Sequence, residues 1–100
     1  MNRRLELHAI LKSIPGVVEV YFQPPASGLK YPCILYSRDR AAEEYANNRK
    51  YFRSKGYQIT VMDFDPDSPI PDAVSDLPKC SFVRHFSADR LNHDIFTIFY

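Results

Sequence analysis

Apolar residues near the start of the chain recur at the spacing of one helix face. Intervals of three and four residues separate most of them, and the residues between them are largely charged. Asn2 precedes this stretch as a candidate cap, and Pro15-Gly16 follows it as a stop signal. A helix is therefore predicted from Asn2 to about Ile14. The apolar positions assigned to its inner face are Leu5, Leu7, Ile10, Leu11 and Ile14.

Five later segments have the composition of strands, because they are rich in β-branched and aromatic residues and alternate between two faces. They span about 17–22, 33–38, 51–64, 79–87 and 92–100. The second begins with apolar side chains on both faces, Cys33 and Ile34, which predicts a central strand. Gly56 in the third is interpreted as a bulge. Residues 88–91 are predicted to form a tight hairpin connection between the last two strands.

A proline-rich and aspartate-rich stretch separates the third strand from the fourth. Pro71 can start a two-turn helix that includes Val74 and Leu77 and must end at Pro78. The order of elements predicts a single α+β domain over residues 1–100. Its sheet is mostly antiparallel and has about five strands, with the N-terminal helix and the short second helix packed on one face.

Residues 39–50 are mostly polar or charged, with Tyr45 as the large apolar side chain among them. The turn chemistry of Asn47-Asn48 favours the tip of a long hairpin that joins the second and third strands. A short helix over residues 41–46 and a polar loop are the alternatives.

Tyrosine and arginine interleave along this hairpin, as they do in many protein interfaces. The same mixture can bind single-stranded nucleic acid by stacking and phosphate contacts. The acidic residues Asp39, Glu43 and Glu44 lie among the bases and favour a protein interface over nucleic acid. The expected interface residues are Arg38, Arg40, Tyr45, Asn47, Asn48, Arg49 and Tyr51.

The composition limits the classes of function. The 100 residues include 13 Lys+Arg and 12 Asp+Glu, a formal net charge of +1 that argues against a dedicated DNA-reading domain. A hydrophobic content of 45% predicts a folded chain. The apolar runs are too short for a membrane helix, and polar residues at positions 6, 8 and 12 interrupt any signal-peptide core. We therefore expect a non-secreted protein with no membrane partner, in which Cys33 and Cys80 stay reduced.

Asp63, Asp65 and Asp67 form a D-x-D-x-D pattern that can supply oxygen ligands to calcium. Prolines interrupt the pattern, and Val74 stands where a calcium loop carries its glutamate. Turn formation, with Asp67 or Ser68 capping the short helix, is the preferred interpretation.

Cys80, His85 and His93 invite a zinc or nucleophile interpretation, because thiolate and imidazole are common in both kinds of site. Their spacing fits no zinc pattern, and no oxyanion-binding glycine turn accompanies Cys80. A hairpin centred on residues 89 and 90 instead places His85 opposite Asp94, which predicts a cross-strand pair. The sequence therefore predicts no catalytic residue, no metal, no cofactor and no enzymatic activity.

Five segments together carry a resemblance to a known group. They are the opening helix over 5–14, the stretches VYFQPP, YPCILY and YQITVMD, and the closing hairpin over 82–100. The chain resembles the small neck proteins of tailed phages and prophages, in particular the tail terminator family, also called tail-completion or tail-to-head joining proteins. The resemblance spans nearly the whole chain and is carried by structural motifs.

The resemblance implies a homohexameric ring that caps the tail-tube protein and joins the tube to the head-completion or connector protein. It implies a place in the virion neck after assembly in the cytoplasm of the bacterial host. The hairpin tip would then contact another subunit or the tube, and deletion of residues 42–48 is predicted to leave a folded protein that no longer assembles. Non-specific contact of Arg38, Arg40, Arg49 and Lys50 with genome DNA in the lumen is a second expectation.

Three alternatives stay open at the level of sequence. A head-closure or other minor neck protein would share the same structural motifs. A monomeric adaptor or regulatory domain would use its tyrosine-rich and arginine-rich surface on a host partner. A small hydrolase or metal enzyme built on Cys80, His85, His93 and Asp94 has the least support from the residue spacing.

Overall fold

The computed structural model describes residues 3–23, 28–39 and 55–100, which contain two helices and five strands. The elements, in chain order, are α1 (Arg3–Lys12), β1 (Glu19–Phe22), β2 (Cys33–Arg38), β3 (Gly56–Asp63), α2 (Ile70–Ser75), β4 (Cys80–Ala88) and β5 (Leu91–Phe99). The predicted α+β class is confirmed, including the N-terminal helix and the short second helix.

The strands form one sheet in the order β1-β2-β3-β5-β4. β1 runs parallel to β2, and all other neighbours are antiparallel. β2 lies inside the sheet with Cys33 and Ile34 both fully buried, so the prediction of a central second strand is confirmed. β2 and β3 are antiparallel neighbours, as the hairpin interpretation requires. The predicted tip of that hairpin lies outside the described residues.

The hydrophobic core lies between the two helices and one face of the sheet, which we call the core face. Two leucines of α1, Leu7 and Leu11, and two residues of α2, Ile70 and Val74, are buried against it. The sheet contributes Val20, Ile34, Tyr36, Tyr57, Ile59, Val61, Phe96 and Ile98. Gly16 ends the first helical segment with a φ of +94°, a conformation that a side chain would strain, and the chain then turns towards β1.

Two details of the sequence interpretation are wrong. Leu5 is 55% exposed, because two residues of helix separate it from Leu7 by about 200° and place it on the outer side. Gly56 forms no bulge, since it starts β3 and pairs in register with Phe99. The register shift lies instead in β4, between Phe82 and Arg84.

The β4–β5 hairpin closes as predicted. Asp89 and Arg90 form its two-residue turn with φ values of 53° and 68°, which match the twist of antiparallel strands. Among the described residues, neither helix has the length and apolar character needed to cross a bilayer.

Candidate functional site

The outermost strand β4 is the most exposed element of the sheet. Every residue from Ser81 to Ala88 is exposed, and no other described strand lies beyond it. Three of these exposed side chains are nevertheless large and apolar. Phe82 is 56% exposed, Val83 is 54% exposed and Phe86 is 38% exposed. An edge strand presents a row of backbone N–H and C=O groups along its outer side, so this edge combines hydrogen-bonding groups with apolar side chains.

The opposite edge of the sheet is better protected. β1 has four residues, and α1 lies against it. The Glu19 side chain accepts a hydrogen bond from the Val20 backbone N–H at 3.1 Å and receives another from Lys12 Nζ at 3.1 Å. Short length and charged side chains are features that keep an edge strand from pairing with another chain. β4 is therefore the edge more open to addition of a strand.

Side-chain hydrogen bonds hold β4 to the sheet in spite of its exposure. His85 Nδ1 lies 2.8 Å from Asp94 Oδ1, which confirms the predicted cross-strand pair. Next along the hairpin, the Ser87 hydroxyl donates to Asn92 Oδ1 at 3.0 Å, and Asn92 Nδ2 donates to the Asp63 carbonyl at 3.2 Å. These contacts link β4 to β5 and β5 to β3, so β4 is held in a fixed position.

A stack of three side chains covers part of the other sheet face, which we call the outer face. The ring of Phe86 stacks on His93 at 4.4 Å with an angle of 10° between the planes, and the Arg84 guanidinium lies 5.2 Å from the centre of the Phe86 ring. Beside this stack runs a shallow groove of about 350 Å³, lined by Leu35, Thr60, Met62 and Ile95 among others. Phe86 lines this groove, so the outer face of β4 adjoins it, whereas Phe82 lies on the core face with its ring 5.5 Å from that of Phe96.

The sequence pattern Cys80, His85 and His93 does not become a cluster in the structure. His85 pairs with Asp94 on the core face, whereas the neighbouring His93 lies on the outer face against Phe86. Cys80 is opposite Ile98, and burial raises the pKa of its thiol to about 11. At neutral pH this cysteine is protonated, which is the form that binds metals and attacks electrophiles poorly.

The alternating aspartates form consecutive turns. Asp63 Oδ1 accepts the Asp65 backbone N–H at 3.0 Å, and Asp65 Oδ1 accepts the Asp67 N–H at 2.9 Å. The hydroxyl of Ser68 then accepts the N–H of Ile70, the first residue of α2, at 3.3 Å. The turn-forming interpretation is thereby confirmed. The expected cap by Asp67 or Ser68 is wrong, because the N-cap position of α2 is Pro69 and no side chain makes a capping hydrogen bond there.

One of the seven predicted interface residues lies in the described part of the chain. Arg38 is exposed at the end of β2 and lines a cavity of about 320 Å³. The other predicted interface residues, Arg40, Tyr45, Asn47, Asn48, Arg49 and Tyr51, lie outside the described residues, as does Lys50.

Sequence reasoning missed the exposed edge of β4, because it treated the last two strands alike. A signal was present in their composition. Ile95, Phe96 and Ile98 make β5 apolar on both faces, as an interior strand requires, whereas Arg84 and His85 interrupt β4. This contrast in the second half of β5 favours β4 as the edge strand, although Asn92, His93 and Asp94 make the first half of β5 polar.

Comparison with family models, with curated proteins and with solved structures found no match.

Proposed function

We propose that this protein is a structural assembly subunit without enzymatic activity, and specifically a tail terminator of a tailed phage or prophage. In this role copies of the chain form a homohexameric ring that caps the tail tube and joins it to the head-completion or connector protein. The ring belongs to the virion neck and is assembled in the bacterial cytoplasm. The observation that carries the proposal is the exposed edge of β4, with Phe82 and Val83 each more than half exposed.

The edge of β4 supports assembly for two physical reasons. Its backbone groups can hydrogen-bond to another chain by strand addition, a common mode of protein recognition. Its apolar side chains lose contact with water when another surface covers them, which contributes favourable free energy. On the outer face, the groove beside Phe86 adds to the surface that a neighbour can cover.

The proposed occupant of this edge is a second copy of the chain. In a ring, β4 of one copy meets a different surface of the next copy, and repetition of this head-to-tail contact closes the circle. A contact between two β4 strands is symmetric and ends at a dimer. The oligomer size therefore distinguishes the proposed arrangement from simple self-pairing. The resemblance to tail terminators supports the ring.

A matched pair of valines tests the role of the edge. Val83 in β4 and Val18 before β1 are similarly exposed, at 54% and 50%. Val83→Lys places a charge on the proposed contact, whereas Val18→Lys makes the same change elsewhere. Light scattering across a concentration series should give about 70 kDa, six times the 11.6 kDa monomer, for the wild type and Val18→Lys. Val83→Lys should shift the species towards the monomer while circular dichroism shows an unchanged fold.

Two results would count against the proposal. Equal oligomers for both lysine variants would exclude β4 as the contact, and a stable dimer would exclude the head-to-tail arrangement. If the purified chain is monomeric, addition of purified tail tubes tests whether the chain assembles only on the tube. A tail terminator must appear at tube ends in electron micrographs, and uncapped tubes in the presence of excess protein would refute the assignment.

A further inference from the structure

A cavity at the start of α1 gathers positive charge from three separate parts of the chain. Its volume is about 320 Å³, and its lining includes four cationic side chains: Arg3, Arg4, Arg38 and Lys55. The described lining also includes three aromatic rings and no acidic side chain. We infer that this cavity is a binding site for a phosphate group.

The fold brings the four cations together from distant positions in sequence. Arg3 and Arg4 occupy the first turn of α1, and Arg38 ends β2. Arg38 pairs in register with Tyr57 of β3, while Lys55 precedes that strand. Backbone hydrogen bonds join Lys55 to Tyr100 in both directions, at 2.9 and 3.3 Å. Three elements thus fix the positions from which these side chains reach the cavity.

Aromatic rings orient the two arginines of α1. The Arg4 guanidinium lies 4.4 Å from the centre of the Phe22 ring, and the Arg3 guanidinium lies 5.1 Å from the centre of the Tyr100 ring. Arg4 also donates a hydrogen bond from Nη1 to the hydroxyl of Tyr36 at 3.3 Å. The N–H donors of a guanidinium lie in its own plane, so a ring against its face leaves these donors available to the oxygens of an anion. Such prior ordering lowers the entropy cost of binding.

The same ring contacts argue for recognition of an anionic group over an aromatic ligand. Tyr57 is 3% exposed, and the rings of Phe22 and Tyr100 already have a guanidinium over them. Stacking of a nucleobase therefore contributes little at this site. Arginine pairs with phosphate oxygens through two parallel hydrogen bonds, and a cluster of cations favours a ligand with more than one negative charge. Phosphate monoesters, pyrophosphate and the backbone of a nucleic acid share this chemistry.

The inference is independent of the proposed ring, because all the residues that carry it belong to one copy of the chain. It also differs from the expected lumen contacts, since Arg3, Arg4 and Lys55 were not among the residues proposed for them. A monomer that fails to assemble should still bind phosphate.

The test is a titration of the full chain with pyrophosphate, in which binding is measured by calorimetry and by changes in amide chemical shifts. Pyrophosphate should change the amide chemical shifts of residues around Arg4 and Lys55, and inorganic phosphate should compete with it for the site. Arg4→Gln and Arg38→Gln should each weaken binding about tenfold, the effect of losing one charge-assisted hydrogen bond. Arg4→Lys should give a smaller loss, because it keeps the charge and loses the planar fork.

Arg90→Gln is the matched control. Arg90 lies at the start of β5, and Tyr100 of the cavity lining lies at its other end. The length of the strand therefore places the control about 30 Å from the cavity. It should change affinity by less than about twofold, since solvent and salt screen a charge at this distance. Equal losses for Arg4→Gln and Arg90→Gln would overturn the site, because binding would then follow net charge alone. Absence of pyrophosphate binding to the folded wild type would overturn it as well.

A second arm identifies the source of the phosphate. A short single-stranded DNA that displaces pyrophosphate and loses affinity in Arg4→Gln would assign the site to a nucleic-acid backbone. Its affinity should then fall with rising salt, as phosphate contacts release counterions. Pyrophosphate binding without DNA binding would assign the site to a small phosphorylated ligand. Both outcomes support the phosphate site.

Discussion

The hydroxyl of Tyr36 links the core to the basic end of α1, and its removal gives a quantitative test. Tyr36 is 1% exposed. Its oxygen accepts a hydrogen bond from Arg4 Nη1 at 3.3 Å and lies 2.9 Å from His8 Nδ1. The consistent arrangement has Arg4 donating to the hydroxyl and the hydroxyl donating to neutral His8. Tyr36→Phe removes both hydrogen bonds and keeps the ring, which packs against Phe22 and Tyr57.

The expected loss of unfolding free energy is about 1–2 kcal/mol. Each hydrogen bond contributes about 0.5–1.5 kcal/mol net. The lower part of the combined range applies, because Arg4 and His8 are only half-buried and regain water contacts when the hydroxyl is lost. Urea denaturation at pH 7.5 measures the difference. The variant should also weaken pyrophosphate binding, since Arg4 loses one of the contacts that orient it.

Tyr21→Phe is the control for this experiment. The Tyr21 hydroxyl accepts one exposed hydrogen bond, from the Lys30 backbone N–H at 3.2 Å. Its loss should change stability by less than about 0.5 kcal/mol. If Tyr36→Phe is as stable as the wild type, the hydrogen bonds of Tyr36 do not hold α1 to the sheet, and the reasoning is wrong.

Three further predictions concern the fold. Leu11→Ala should lower the unfolding free energy by about 2–5 kcal/mol in urea denaturation, because Leu11 is fully buried. Leu5→Ala should change it by less than about 0.5 kcal/mol, because Leu5 is 55% exposed. Similar losses for the two variants would contradict the assigned helix face. Burial, followed by the charges of Arg4 and Lys12, lowers the pKa of His8 below 6.5. The contribution of neutral His8 to the free energy of unfolding should therefore be fully present above pH 6.5 and should be lost as the pH falls towards the folded-state pKa. A His8→Gln variant should lose this part of the pH dependence, and an unchanged pH profile would refute the assignment. Arg90→Gly should raise the thermal midpoint, because Arg90 has a φ of +68° that glycine adopts without strain; a lower midpoint would contradict this.

Local patterns in the sequence predicted much of the fold. The helical spacing of Leu7 and Leu11 places them on the buried face, and the turn at residues 89 and 90 sets the β4–β5 register. The His85–Asp94 pair follows from that register. These features depend on residues close together in sequence, so the local pattern is sufficient to predict them.

Contacts between distant segments were harder to predict. The parallel pairing of β1 with β2 and the insertion of β5 between β3 and β4 depend on how whole strands are ordered in space. The cavity shows the same limit, because α1 brings Arg3 and Arg4 beside Arg38, more than thirty residues away in sequence. The predicted interface was placed on residues 38–51, whereas the exposed apolar edge among the described residues is β4.

Amide hydrogen exchange of β4 tests the central claim most directly. If copies of the chain assemble through this edge, the outward-facing amides of β4 gain protection as protein concentration and oligomer mass rise together, and Val83→Lys removes that gain. The amides of β1 serve as the internal reference and should change little. An oligomer that grows while β4 amides exchange as fast as in the dilute monomer would contradict the claim, because the contact would then lie elsewhere.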